Sequence, residues 1–164
     1  MNFLKNIFSR AKPIKQRIGI TKYPNKILFE TIHQIKNSYS IRGTEISLLD
    51  ADTSEVEIGK TIMKHLALSK SGIKSPDEKV WKETNEAYKR ITGLKTMKAQ
   101  MKDSLYVSVD REGNKIEFTP TINGGTSGKA KGYDFLPDDS LTIDYIENFE
   151  IIGSSFNLAL QKCK

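Results

Sequence analysis

Residues 104–121 constrain the fold more than any other stretch. Leu105, Val107 and Val109 alternate with Tyr106 and Ser108, residues 110–114 supply a turn with Gly113 available for positive φ, and Ile116 and Phe118 resume the alternation. A period of two on both sides of a turn predicts an antiparallel hairpin with one apolar face. That face needs a cover, and helix-patterned segments stand on either side of it in the sequence.

Ser54 and Glu57 have the spacing of a capping box, the hydroxyl taking the N3 amide and the carboxylate reaching back. Ile58, Ile62 and Leu66, with Met63, then make an apolar helical stripe. A second helix opens with Ser75-Pro76-Asp77-Glu78, read as an N-cap, a first-turn proline and an acidic first turn. It closes with Arg90 in the last turn and Gly93 as the residue after the cap. Val80, Trp81, Ala87, Tyr88 and Ile91 share a face, so Trp81 is expected to be buried between this helix and the sheet. A short third helix covers residues 95–102. Asn148 can cap a C-terminal helix with Ile152, Phe156, Ala159 and Cys163 along one side. Ile58-Gly59 and Ile152-Gly153 repeat one pattern. A glycine one turn into a helix costs about 1 kcal/mol relative to alanine, so each is expected to mark close packing of its helix on a sheet.

Ile18-Gly19-Ile20 and residues 44–49 have strand character. Residues 27–36 fit alternation through Ile27, Phe29 and Ile35, and fit a helical stripe through Ile27, Leu28, Ile32 and Ile35 equally well. They are read as a strand because Tyr39-Ser40-Ile41 and the run from Ile46 look like antiparallel neighbours. Leu141, Ile143 and Tyr145 alternate as a last strand, and residues 123–132, with four glycines, form a loop. The expected fold class is α+β: a basic N-terminal arm over residues 1–17, then a single domain over 18–164, mainly antiparallel β-sheet with three to four packed α-helices.

At 164 residues, one domain can bury a sizeable core without staples. The only cysteine is Cys163, so no internal disulfide forms, which fits a cytoplasmic home. No apolar run approaches the length of a membrane span. The start, Met1 to Phe8, is too broken by polar residues for a secretory apolar core; it is read as a surface segment, with a short membrane-touching helix as the alternative. The net charge of +6 is unevenly spread: residues 1–50 hold 9 Lys/Arg against 3 acids, and residues 111–164 hold 6 against 8. Such a dipolar chain can steer an oppositely patterned partner, and its basic end could hold RNA non-specifically.

Catalytic patterns are weak. His33 and His65 are the only histidines, and no Asp, Glu or Cys stands near them at metal-ligand spacing. Cys163 has no base near it in sequence and is read as packing the last helical turn. The run from Asn123 to Lys129 looks like a phosphate loop, but Asn123 occupies the first glycine position and Ala130 follows the lysine where Ser or Thr is required. A surface loop that contacts a partner is the better reading. No cofactor and no metal is expected. Asp134, Asp138, Asp139, Asp144, Glu147 and Glu150 make an acidic end, either a solvated face or a negative patch that meets a basic partner.

From about Ile18 to Lys164 the chain resembles the immunity proteins of contact-dependent growth inhibition systems. The elements that carry the resemblance are Ile46-Ser47-Leu48-Leu49-Asp50-Ala51-Asp52, then Glu57-Ile58-Gly59 with Leu66 and Ser69, then Tyr88 and the run from Gly93 to Met101 into the hairpin. Ile116-Glu117-Phe118-Thr119-Pro120-Thr121 and Ile152-Gly153 with Ala159-Leu160 and Cys163 complete it. The resemblance implies a non-enzymatic cytosolic bacterial monomer that binds and neutralises the toxic C-terminal domain of a two-partner-secreted effector, one toxin to one inhibitor, with the toxin expected to be a nuclease (RNase), and with no stable nucleic acid of its own. Asn123, Lys129, Tyr133, Asp134, Asp138, Asp139, Asp144 and Glu147 are the expected partner-binding residues, because acids and loop backbone coincide there. The alternative is a small basic RNA- or DNA-binding module built on the arm, with Phe3, Phe8 and Tyr23 as stacking platforms.

Overall fold

A computed structural model describes residues 15–164. Three consecutive antiparallel strands begin it: β1 (Lys15–Lys22), β2 (Lys26–Ile35) and β3 (Ser40–Asp50). After them come α1 (Glu55–Leu68), the short β4 (Ser71–Ile73), α2 (Glu78–Thr92) and α3 (Met97–Met101). The hairpin β5 (Leu105–Glu112) and β6 (Lys115–Asn123) follows, then β7 (Tyr133–Phe135), a single 3-10 turn (Pro137–Asp139), β8 (Leu141–Asp144) and α4 (Phe149–Leu160). Among the described residues this is an α+β fold of one eight-stranded sheet and four α-helices.

The strand order is β3-β2-β1-β5-β6-β7. Pairing is antiparallel throughout except that β4 lies parallel to the end of β2, and β8 shares the outer edge of β6 with β7. The hairpin expected from residues 104–121 is present, and its turn is tighter than read: β5 runs on to Glu112, which pairs with Lys115 across Gly113 at φ 59° and Asn114. Residues 27–35 resolve as strand within β2, and Lys36 begins the turn that follows. Residues 40–50 form one continuous strand, because both flanks of Gly43 pair with β2. Lys15 to Arg17, read as part of the arm, are the first rungs of β1. The remainder of the arm, and the reading of Met1 to Phe8, lie outside the described residues.

One face of the sheet is covered by α1 and α4. Ile58, Ile62, Leu66, Ile152, Phe156 and Ala159 pack on Ile18, Ile20, Phe29, Val107, Val109, Ile116 and Phe118, all at most 2% exposed. Each of these strand positions is separated from the next on its strand by two, so alternation decides the face. The twin glycines do something other than expected. A Cβ on Gly59 would stand 1.9 Å from the carbonyl oxygen of Phe149, and one on Gly153 would stand 2.0 Å from that of Glu55. The two glycines therefore let α1 and α4 cross backbone to backbone, helix on helix rather than helix on sheet.

The opposite face carries α2 over β2 and β3, around Tyr23, Leu28 and Tyr88 with Ile46 and Leu94 against them. Asp77, not Ser75, is the N-cap: its carboxylate accepts the Val80 amide at 2.9 Å. A carboxylate is the stronger acceptor, and Pro76 restrains Ser75 to extended backbone. Gly93 ends the helix at φ 72°, as its position predicts. The buried stripe is Thr84, Tyr88 and Thr92. Val80 and Ile91 are exposed, and Trp81 is only half-buried, stacked on Tyr39 in the β2–β3 turn at 6.5 Å between centroids. Threonine can take the inner positions because its hydroxyl is satisfied within the helix, as when Thr92 donates to the Tyr88 carbonyl at 2.7 Å. At α1, Ser54 accepts the Glu57 amide as a cap, but the Glu57 carboxylate turns outward to Lys60 instead of closing the box.

Candidate protein-binding surface

The outer edge of β6 organises the acidic end. β8 pairs with Lys115 to Phe118 and β7 with Thr121 to Asn123, so both run along one sheet edge. Asp134, Asp138, Asp144 and Glu147 are exposed along it, and Asp139 is half-buried with its carbonyl accepting from Lys162. Asp144 pairs with Lys115 at 2.5 Å. Lys129 is exposed at the tip of the glycine loop.

Asn123 and Tyr133 are built into the fold at the base of that loop. The Asn123 amide donates to the carbonyls of Met101 and Ser104 at 2.7 and 2.8 Å, while its side-chain oxygen accepts the Gly125 amide. Tyr133 shares a 2.6 Å hydrogen bond with Ser104 Oγ and stacks on Tyr106 at 4.9 Å. Burial pushes its hydroxyl above the usual tyrosine range despite the Ser104 bond. The loop itself is closed: Gly124 donates to the Gly132 carbonyl and Gly132 to that of Gly125, both at 2.8 Å. A Cβ on Gly124 would meet the Ala130 carbonyl oxygen at 1.4 Å, which is why glycine stands there. These bonds hold the loop as a shaped surface.

The sheet face beyond α2 is open, and alternation puts Arg17, Ser108, Asp110, Glu117 and Thr119 on it. Arg17 pairs with Asp110 at 2.5 Å. Phe135, 52% exposed, stands edge-on to Tyr106 at 6.4 Å. Glu117 and Phe135 are missing from the residues expected from sequence. The inward alternation of Ile116 and Phe118 already turns Glu117 outward, whereas nothing in the sequence announces that β7 leaves Phe135 uncovered.

His65, Glu30 and Cys163 are tied into the interior, and His33 lies at its margin. His65 is 1% exposed, with Nδ1 bonded to Thr31 Oγ1 at 2.7 Å and Nε2 to Ser47 Oγ at 2.8 Å. Burial, and then Lys64, bring its pKa down to about 4. His33 accepts the Lys70 amide and lies 3.6 Å from Glu45. Glu30 is buried against Arg42, whose guanidinium lies 3.7 Å over the Tyr88 ring; burial raises the carboxyl above its usual range and Arg42 opposes that. Cys163 packs beside the main core just past α4, and burial raises its thiol pKa. Among the described residues no three His, Cys, Asp or Glu side chains are grouped to hold a metal ion, and no helix is long and apolar enough to cross a membrane.

The acidic edge and the open sheet face are thus exposed features of the described residues on which a partner protein could dock, and the family match defines the class. The sequence matches the family model of the CDI (contact-dependent growth inhibition) immunity protein over residues 16–163. The chain belongs to that family, whose members are non-enzymatic toxin inhibitors. Among the solved structures that share its fold are two. One is a protein of unknown function from Neisseria meningitidis, 18% identical, with a TM-score of 0.76 over 94% of this chain and 98% of that one. The other is a CdiA-CT/CdiI toxin and immunity complex from Yersinia pseudotuberculosis, 16% identical, with a TM-score of 0.74 over 94% of this chain and 100% of that one. No curated protein sequence matches the chain.

Proposed function

We propose that this protein binds and neutralises the toxic C-terminal domain of a cognate contact-dependent growth inhibition effector, inside the bacterium that makes it. The observation that carries this is the family match over residues 16–163, supported by the fold shared with the Yersinia pseudotuberculosis toxin and immunity complex. The toxin is a nuclease in this reading. A nuclease must present basic surface to hold phosphates, and the β7–β8 edge opposes it with Asp134, Asp138, Asp139 and Glu147. Lys129 and the closed glycine loop extend that surface, with Asn123 and Tyr133 fixing its shape and Asp144 standing on it paired with Lys115. The inhibitor acts as one copy per toxin.

The test is co-expression with the toxin domain encoded immediately upstream. Growth is restored and the two chains co-purify if the reading holds. Undiminished toxicity with no complex refutes it. Charge reversal of Asp134, Asp138 and Asp139 to lysine lowers the association rate and flattens its salt dependence. Unchanged kinetics would leave that edge a solvated rim.

A further inference from the structure

The open face of the sheet carries a trough whose walls differ in chemistry. Its floor is the cross-strand row Gly19, Ser108 and Thr119. The Tyr106 ring lies over Gly19, its hydroxyl 2.6 Å from where a Cβ would be, so only glycine lets it lie there. Tyr106 and Phe135 form an aromatic wall on one side. On the other side runs the row Arg17, Asp110 and Glu117, adjacent strand to adjacent strand. The cavity between Phe135 and that row has a volume of about 320 Å³.

The charges of this row are unbalanced. Asp110 is occupied, by Arg17 at 2.5 Å and by Ser108 Oγ at 3.0 Å. Glu117 stands directly opposite Asp110, and among the described residues no cation lies within 4 Å of it. Like charges directly opposite on one sheet face destabilise it. Among the described residues, Glu117 is thus a carboxylate without a cationic partner, facing an exposed phenyl ring across a cavity.

We propose that this trough seats an arginine side chain of the toxin domain, its guanidinium stacked on Phe135 and bonded to Glu117. The inference rests on the inhibitor reading above and names the group that is gripped. Arginine fits because a planar guanidinium stacks on an aromatic ring and pairs with a carboxylate in a fork, and because it complements the free charge. The hydroxyls of Ser108 and Thr119 offer further acceptors along the floor.

The experiment titrates the full chain with a catalytically inactive form of the toxin domain encoded upstream. Glu117→Gln lowers affinity by about tenfold to a hundredfold, the range of a charge-assisted hydrogen bond, and Phe135→Ala by about tenfold. The two losses are less than multiplicative in the double variant, since both residues hold one side chain. Glu117→Gln also removes the repulsion from Asp110, so the free variant melts no lower than the parent, which separates lost recognition from lost folding. If the parent binds and both variants bind within twofold of it, the trough is not the seat and the inference falls. If the parent itself does not bind, the inhibitor reading falls and the inference with it.

Discussion

His65 is where a single side chain most clearly ties stability to pH. It is held neutral between Thr31 and Ser47, with a pKa brought down to about 4 against about 6.5 in the unfolded chain. As pH falls below 6.5 the unfolded chain takes up a proton that the folded one refuses. Stability is therefore full above 6.5 and declines until the folded value is passed, on the order of 3 kcal/mol in all. Glu30, with its pKa raised, works in the opposite sense, so the comparison must isolate the histidine. The melting temperature of the parent drops between pH 6.5 and 4, and the His65→Gln variant lacks that share of the slope. Equal slopes would contradict the assignment. Gly59 and Gly153 are the other decisive residues. Either glycine changed to alanine puts a methyl inside a backbone carbonyl contact of 1.9–2.0 Å, and the cost is about 3 kcal/mol or more. A denaturation midpoint shifted by less than a third of that would mean that the helices separate freely. The sequence marked both glycines as sites of close approach. It had no means of saying what approached, because a helix stripe records which face is buried and not which element buries it.

Among the elements, α2 shows how far periodicity reaches. Its start, end and amphipathic character are legible, but Trp81 was expected inside and stands half out, while Thr84 and Thr92 lie within. Hydrophobicity ranks side chains by transfer from water. A helix lying on a sheet through a narrow contact selects instead for short, internally bonded side chains at the seam. The consequence is an ordering that denaturant midpoints can check. Tyr88→Ala, which empties a site 3% exposed beneath Arg42, costs about 3–5 kcal/mol. Trp81→Ala, which loses half-buried stacking on Tyr39, costs about 1–2 kcal/mol. The reverse order would contradict the packing described. The β5–β6 hairpin was legible because its alternation is strict. β4 and β7 were not, since three-residue strands carry too few alternations to be told from loop.

At the scale of the whole molecule, sequence placed the acids at one end of the chain, and the fold turns that into one edge of one sheet. The acidic edge was legible as a region. The sequence did not separate residues that shape it, Asn123 and Tyr133, from residues left exposed on it, such as Asp134 and Asp138, because both kinds are polar and only tertiary hydrogen bonds distinguish them. Neither did it show the open sheet face beside that edge, which depends on where α2 stops covering the strands. The net charge of +6 does not conflict with a basic toxin as partner, since what steers association is the local field of the contacting edge rather than the sum over the chain. The most direct test is a calorimetric titration of this protein with the toxin domain encoded upstream. A single-step isotherm at one toxin per protein, with a dissociation constant on the order of nanomolar and no heat with an unrelated toxin domain, is the predicted result. An isotherm flat at micromolar concentrations of both chains would contradict the account.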